Sequence, residues 1–92
     1  MRSTEQQRVA RRVGACLRAA RRASALSRNH VARSAGLTGR ELTRYEHGRA
    51  IPCQRDLQAL AGACGIDPDE LLPDDLMALL PQPEPDTASP NF

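Results

Sequence analysis

Two kinds of side chain in this sequence could do chemistry, and their spacing tells them apart. The first kind is nucleophilic or metal-ligating: Cys16, Cys53, Cys64, His30 and His47. The cysteine count is odd and no C-x-x-C pair occurs, so no disulfide framework is expected. Cys53, Cys64 and His47 match no zinc-ligand spacing. Cys16 and Cys64 fall on apolar helical faces and read as small core residues. Cys53 is the one candidate for a redox-sensing thiol. No Ser-His-Asp set and no glycine-rich phosphate loop is visible. An enzyme is therefore not expected, and neither is a metal nor a cofactor.

The second kind is arginine, and here position carries the signal. All 13 basic residues are arginines within residues 1–55, set against Glu5, Glu41 and Glu46 for a net +10. Residues 56–92 hold eight acids and no base, a net −8. The overall +2 hides this division. A cationic half beside an acidic half suits a polyanion partner on one side. Tyr45 and Phe92 are the only aromatics, so an RRM-like or OB-like surface that stacks bases on rings is not expected. No apolar run approaches the roughly 20 residues that span a bilayer. No apolar segment follows Met1-Arg2-Ser3, so the expected compartment is the cytoplasm, with no membrane partner.

The elements that must position these arginines are short helices. A chain of 92 residues holds one small domain. Val9, Val13, Cys16, Leu17 and Ala20 recur at steps of three and four, which predicts a helix over residues 5–23. Ser27 reads as the N-cap of a second helix, 28–35, with Val31 and Ala32 inward and Gly36 ending it. Thr38-Gly39-Arg40-Glu41 reads as a capping box that opens a third helix, 39–47. Leu42 and Tyr45 are its expected buried residues, and Gly48 ends it. Leu57, Leu60, Ala61 and Cys64 mark a fourth helix, 53–63, closed by Gly65. Asp67-Pro68-Asp69-Glu70 is a helix start with an acidic first turn. Pro73-Asp74-Asp75 restarts a sixth helix, 74–80. The expected fold is all-α, a compact bundle of five or six short helices over residues 1–80. Residues 81–92, rich in proline and acids, read as a disordered tail.

Two short helices joined by Ala35-Gly36-Leu37-Thr38 form a helix-turn-helix pattern. Such a pair can hold its second helix proud of the core, where it fits a major groove. The stretch from Ser27 to Thr38, followed by Leu42-Thr43-Arg44-Tyr45-Glu46-His47-Gly48-Arg49, resembles the Xre/Cro-type helix-turn-helix of bacterial and phage repressors. Gly14, Leu17 and Arg21 upstream resemble the first helix of that family. Leu57 to Ala61 and Cys64 to Leu72 resemble its last two. The resemblance covers about residues 13–72 and implies a lambda-repressor-like fold. It also implies a bacterial cytoplasmic protein that works at the nucleoid on double-stranded DNA.

The resemblance carries roles residue by residue. It implies an ion pair between Arg21 and Glu46 that joins the first and third helices. The residues agree, because a shielded Glu46 needs a cation. It implies phosphate contacts at Arg28, Asn29, Thr38 and Arg49, and base contacts at Gly39, Arg40, Thr43 and Arg44. Arg40 is the first choice for reading guanine through O6 and N7. There are departures. Gly39 replaces a long polar residue. Glu41 would repel phosphate unless its cap holds it back. His30 replaces the acid or amide of a second capping box.

One such module touches few base pairs. Two half-sites about 34 Å apart are the usual remedy, so a homodimer on a pseudo-palindromic operator is expected. Leu72, Leu76, Leu79 and Leu80 form an apolar stripe that reads either as a dimer surface or as packing on the domain. The competing reading is an antitoxin or accessory protein. It would bind a protein partner through the acidic C-terminal half and regulate its own gene through the same helix-turn-helix.

Overall fold

The first helix, α1 (Thr4–Ala23), follows the predicted apolar face, and Ala10, Val13, Gly14 and Leu17 are buried along it. The computed structural model describes residues 4–81, and every regular element among them is a helix. After α1 come α2 (Arg28–Ser34), α3 (Gly39–Glu46) and α4 (Gln54–Cys64). Two single turns close the domain, α5 (Pro68–Leu71) and α6 (Asp74–Met77). The sixth helix is thus present but stops at Met77, short of Leu80. The tail expectation for 82–92 lies outside the described residues.

Four helices end in the same way. At the ends of α1, α2, α3 and α4 one residue takes a positive φ: Ala25, Gly36, Gly48 and Gly65. The amide of the next residue then bonds back to the carbonyl five positions earlier: Leu26 to Arg21, Leu37 to Ala32, Arg49 to Arg44, and Ile66 to Ala61. These are Schellman turns, which satisfy carbonyls that a helix end would otherwise leave open. Leu26, Leu37 and Ile66 pack against the core, whereas the turn after α3 carries Arg49 at that place. The reversal at Ala25, with φ 58°, had no glycine to announce it.

The helix starts are local as well. Ser27 Oγ accepts from the His30 amide at 3.1 Å. The Asp67 amide donates to Glu70 Oε1 at 2.9 Å ahead of Pro68. Cys53 precedes α4 and makes no side-chain cap. Instead the Gln54 amide donates to the Pro81 carbonyl at 2.9 Å, and Gln54 Nε2 reaches the carbonyls of Met77 and Leu80. Pro81 therefore does not belong to a loose tail. Its carbonyl serves a helix start that lacks a side-chain acceptor.

The core joins Val13 and Leu17 of α1, Val31 and Ala32 of α2, Leu42 of α3, and Leu57, Leu60 and Ala61 of α4. Leu71, Leu72, Leu76 and Leu80 complete it. The apolar stripe is corrected here. Leu72 and Leu76 are 0% exposed and Leu80 3%, while Leu79 alone is 54% exposed. Helical spacing fails between Leu72 and Leu76 because Pro73 separates two distinct turns. Three of the four leucines are therefore core residues and cannot form a dimer surface. Cys16, Cys53 and Cys64 are all half-buried and unpaired as disulfides. Burial holds the Cys64 thiol above its ordinary range.

Candidate nucleic-acid interface

α3 is held along its inner side by three independent constraints. Leu42 is buried in the core at 1% exposure. Gly14 lets α1 come close, since a Cβ there would lie 2.5 Å from the Tyr45 carbonyl oxygen and 2.7 Å from that of Glu46. An alanine at Gly14 would have to push the two helix backbones apart. The third constraint is Glu46, buried at 2% exposure.

Glu46 is the node of three elements. Arg21 Nε donates to its Oε2 at 2.7 Å and Arg21 Nη2 to its Oε1 at 3.0 Å. Arg28, the first residue of α2, donates to the same Oε1 from Nε at 3.3 Å and Nη2 at 3.2 Å. Arg21 Nη1 also reaches the Leu26 carbonyl at 3.4 Å. Burial pushes the Glu46 carboxyl up, but the bonds and charges of Arg21 and then Arg28 outweigh it and hold it below the usual range. The bond to Glu46 raises the pKa of Arg21 despite its own burial. A bidentate guanidinium with a second arginine behind it gives a buried carboxylate the partners it needs. Arg28, assigned to a phosphate by resemblance, is thus first a structural partner. Its side chain is still 36% exposed.

The outer side of α3 is left free for a groove. Thr38 Oγ1 accepts from the Glu41 amide at 3.1 Å, and the Thr38 amide donates to Glu41 Oε1 at 2.9 Å. That capping box holds the Glu41 carboxylate at the helix start. Arg40 and Arg44 are exposed and stand one turn apart. Thr43 is half-buried, and its hydroxyl donates to the Gly39 carbonyl at 2.8 Å. Its methyl and hydroxyl lone pairs are what remain to offer a base.

Gly39 lies against the end of the exposed Asn29 side chain. A Cβ there would lie 2.7 Å from Asn29 Oδ1. The starts of α2 and α3 therefore meet, with the Asn29 amide beside the first turn of α3. Spacing along the chain did not signal this contact, nor the second arginine on Glu46. Tyr45, expected in the core, is half-buried, and its hydroxyl donates to Asp56 Oδ2 at 3.1 Å. Burial and the Asp56 charge push its pKa up to about 12. Among the described residues no cluster of His, Cys, Asp or Glu could hold a metal ion.

Residues 6–73 match the helix-turn-helix domain family, and the chain belongs to it. The family is related to the Xre-type DNA-binding domains. No curated protein and no solved structure matches the chain. Among the described residues no helix is long and apolar enough to cross a membrane.

Proposed function

We propose that this protein is a sequence-specific DNA-binding transcriptional regulator of the cytoplasm and a binding module rather than an enzyme. It acts as a homodimer on a pseudo-palindromic operator. One observation carries the reading. α3 is pinned on its inner side by Leu42, Gly14 and Glu46, while Arg40 and Arg44 are exposed on it. A rigid helix with exposed guanidiniums is what readout in a major groove requires. Arg40 reads a guanine, Arg44 reaches a base or phosphate one turn further on, and Asn29 and Thr38 secure the backbone at the start of α3.

The test is selection of duplexes from a random pool by the full chain, followed by binding of the selected sequence with Arg40→Ala beside wild type. The expected result is a two-fold symmetric motif. Arg40→Ala should lose discrimination at one position per half-site, by a factor of roughly 5 to 150, corresponding to about 1–3 kcal/mol. Equal binding of every duplex, indifferent to Arg40, would overturn the reading and favour a protein partner instead.

A further inference from the structure

We infer that two copies of this chain pair through the groove between α1 and the α5–α6 segment. Leu79 of each copy seats against Val9 and Ile51 of the other, and Arg12 of each faces Asp75 of the other. This rests on the homodimer reading above and deepens it by naming the surface. Among the described residues Leu79 is the exposed large apolar side chain, at 54% exposure. It borders a hollow of about 420 Å³ together with Val9, Ile51 and Pro81. Val9 and Ile51 are only half-buried. A second hollow of about 530 Å³ lies further along α1, between Cys16 and Ala20 on one side and Ile66 and Leu71 on the other.

The two hollows show how the walls of the groove run. Val9 shares the first with Leu79 and Pro81, whereas Cys16 and Ala20 share the second with Leu71 and Ile66. The α5–α6 segment therefore runs antiparallel to α1. Residues midway along each wall fall at one level, and these are Arg12 and Asp75. Arg12 follows Val9 by three positions and precedes Cys16 by four, so it lies on the side of α1 that borders the groove. Asp75 precedes Leu79 by four positions, and the backbone stays helical at Ala78 between them. Arg12 and Asp75 are both exposed, and neither has an ion-pair partner among the described residues.

Charge decides for a second copy as the occupant. One wall is cationic, at Arg12 with Arg8 a turn before it, and the other is acidic, at Asp74 and Asp75. Such a surface complements itself once turned over. A two-fold axis along the groove sets α1 of one copy over α6 of the other at the same level. Arg12 then meets the partner's Asp75, and the same contact recurs across the axis. Leu79 enters the partner's hollow by the same operation. Apolar contact supplies the attraction, and the charge pairs fix the register. Glu5 also borders the first hollow, but it stands in the first turn of α1, where a helix end favours an acid. It is two turns away from the level of Asp75. Ile51 belongs to the loop that leaves α3, so the groove adjoins the end of the recognition helix. A second copy there carries its own α3 to the far side of the axis, as two half-sites require.

The experiment is sedimentation of the full chain without DNA, from micromolar to millimolar concentration. Wild type should pass from monomer to dimer. Leu79→Glu should weaken pairing roughly tenfold or more, since it sets an acid in an apolar hollow. Arg12→Asp sets acid against acid at both contacts, and Asp75→Arg sets base against base. Each alone should self-associate roughly tenfold more weakly. Mixed in equal amounts, these two variants carry opposite charges at both contacts and should form a heterodimer of near wild-type affinity. All three positions are exposed, so melting temperatures of the dilute variants should stay near wild type. If wild type dimerises and the three variants match it, or if the mixture fails to pair, this surface is overturned and the homodimer uses another. If wild type stays monomeric throughout, as it would were residues 82–92 to fill the hollow, the surface is overturned too. A two-fold symmetric motif in the duplex selection would then still uphold the homodimer on DNA, and loss of that motif in Arg40→Ala would uphold the DNA reading.

Discussion

The two halves of this domain are held together by different physics. From α1 to α3 the joint is polar: Arg21 and Arg28 converge on one buried carboxylate, and Gly14 lets two backbones touch. From α4 to α6 it is chiefly apolar: Leu57, Leu60, Leu72 and Leu76 are all 0% exposed, with the bonds of Gln54 to the Met77, Leu80 and Pro81 carbonyls beside them. Apolar burial is non-directional, so it supports a scaffold but does not define an angle. A bidentate ion pair and a backbone contact do define one. The half that must present α3 at a fixed pose uses directional contacts, and the half that only has to support it uses leucine.

The largest expected effect breaks the polar joint. Glu46→Ala leaves Arg21 and Arg28 without their carboxylate, at a cost of about 3–5 kcal/mol for a truncated buried ion pair. Urea denaturation would show that loss, and DNA binding would weaken even where the chain stays folded, since α3 loses its anchor. Next is the apolar joint. Leu76→Ala removes a fully buried side chain and should cost about 2–5 kcal/mol. In contrast to Glu46→Ala, it should leave DNA affinity per folded molecule near wild type. Equal losses of affinity for the two variants would abolish the distinction between the halves.

Acid separates the halves more gently. The Glu46 carboxyl lies below its ordinary value of 4.5 in the folded protein. Its contribution is therefore fully present above the unfolded pKa and lost as pH falls through the lower folded one. Denaturation at stepwise lower pH should show stability falling below about 4.5. Glu46→Gln should flatten that part of the curve. Leu76→Ala should shift it without changing its shape. The smallest effect lies at the seam after α1. Ala25 takes φ 58°, a conformation that costs an L-residue about 1–2 kcal/mol. Ala25→Gly should relieve part of that strain and stabilise the domain by about 0.5–1 kcal/mol, read as a raised melting temperature.

Much of the local structure was legible because its causes lie within five residues of each other. The Thr38–Glu41 box, the Ser27 cap and the glycine turns at 36, 48 and 65 are all of that range. The Schellman turn at Ala25 is equally local but was not readable, since alanine gives no sign of a positive φ. The Arg21–Glu46 pair came from family likeness, as nothing in a 25-residue gap reveals it.

Sequence alone determined the helical class, most helix ends and the arginine-rich character of the outer face of α3, because periodicity and capping act along the chain. Tertiary structure decided what those helices do to one another. It placed Arg28 on Glu46, Asn29 beside Gly39, the Pro81 carbonyl on the Gln54 amide, and Leu76 and Leu80 in the core rather than on a surface. It also set Arg11 against the end of α3. Each of these depends on which faces meet across space, and that is settled only when the whole core closes.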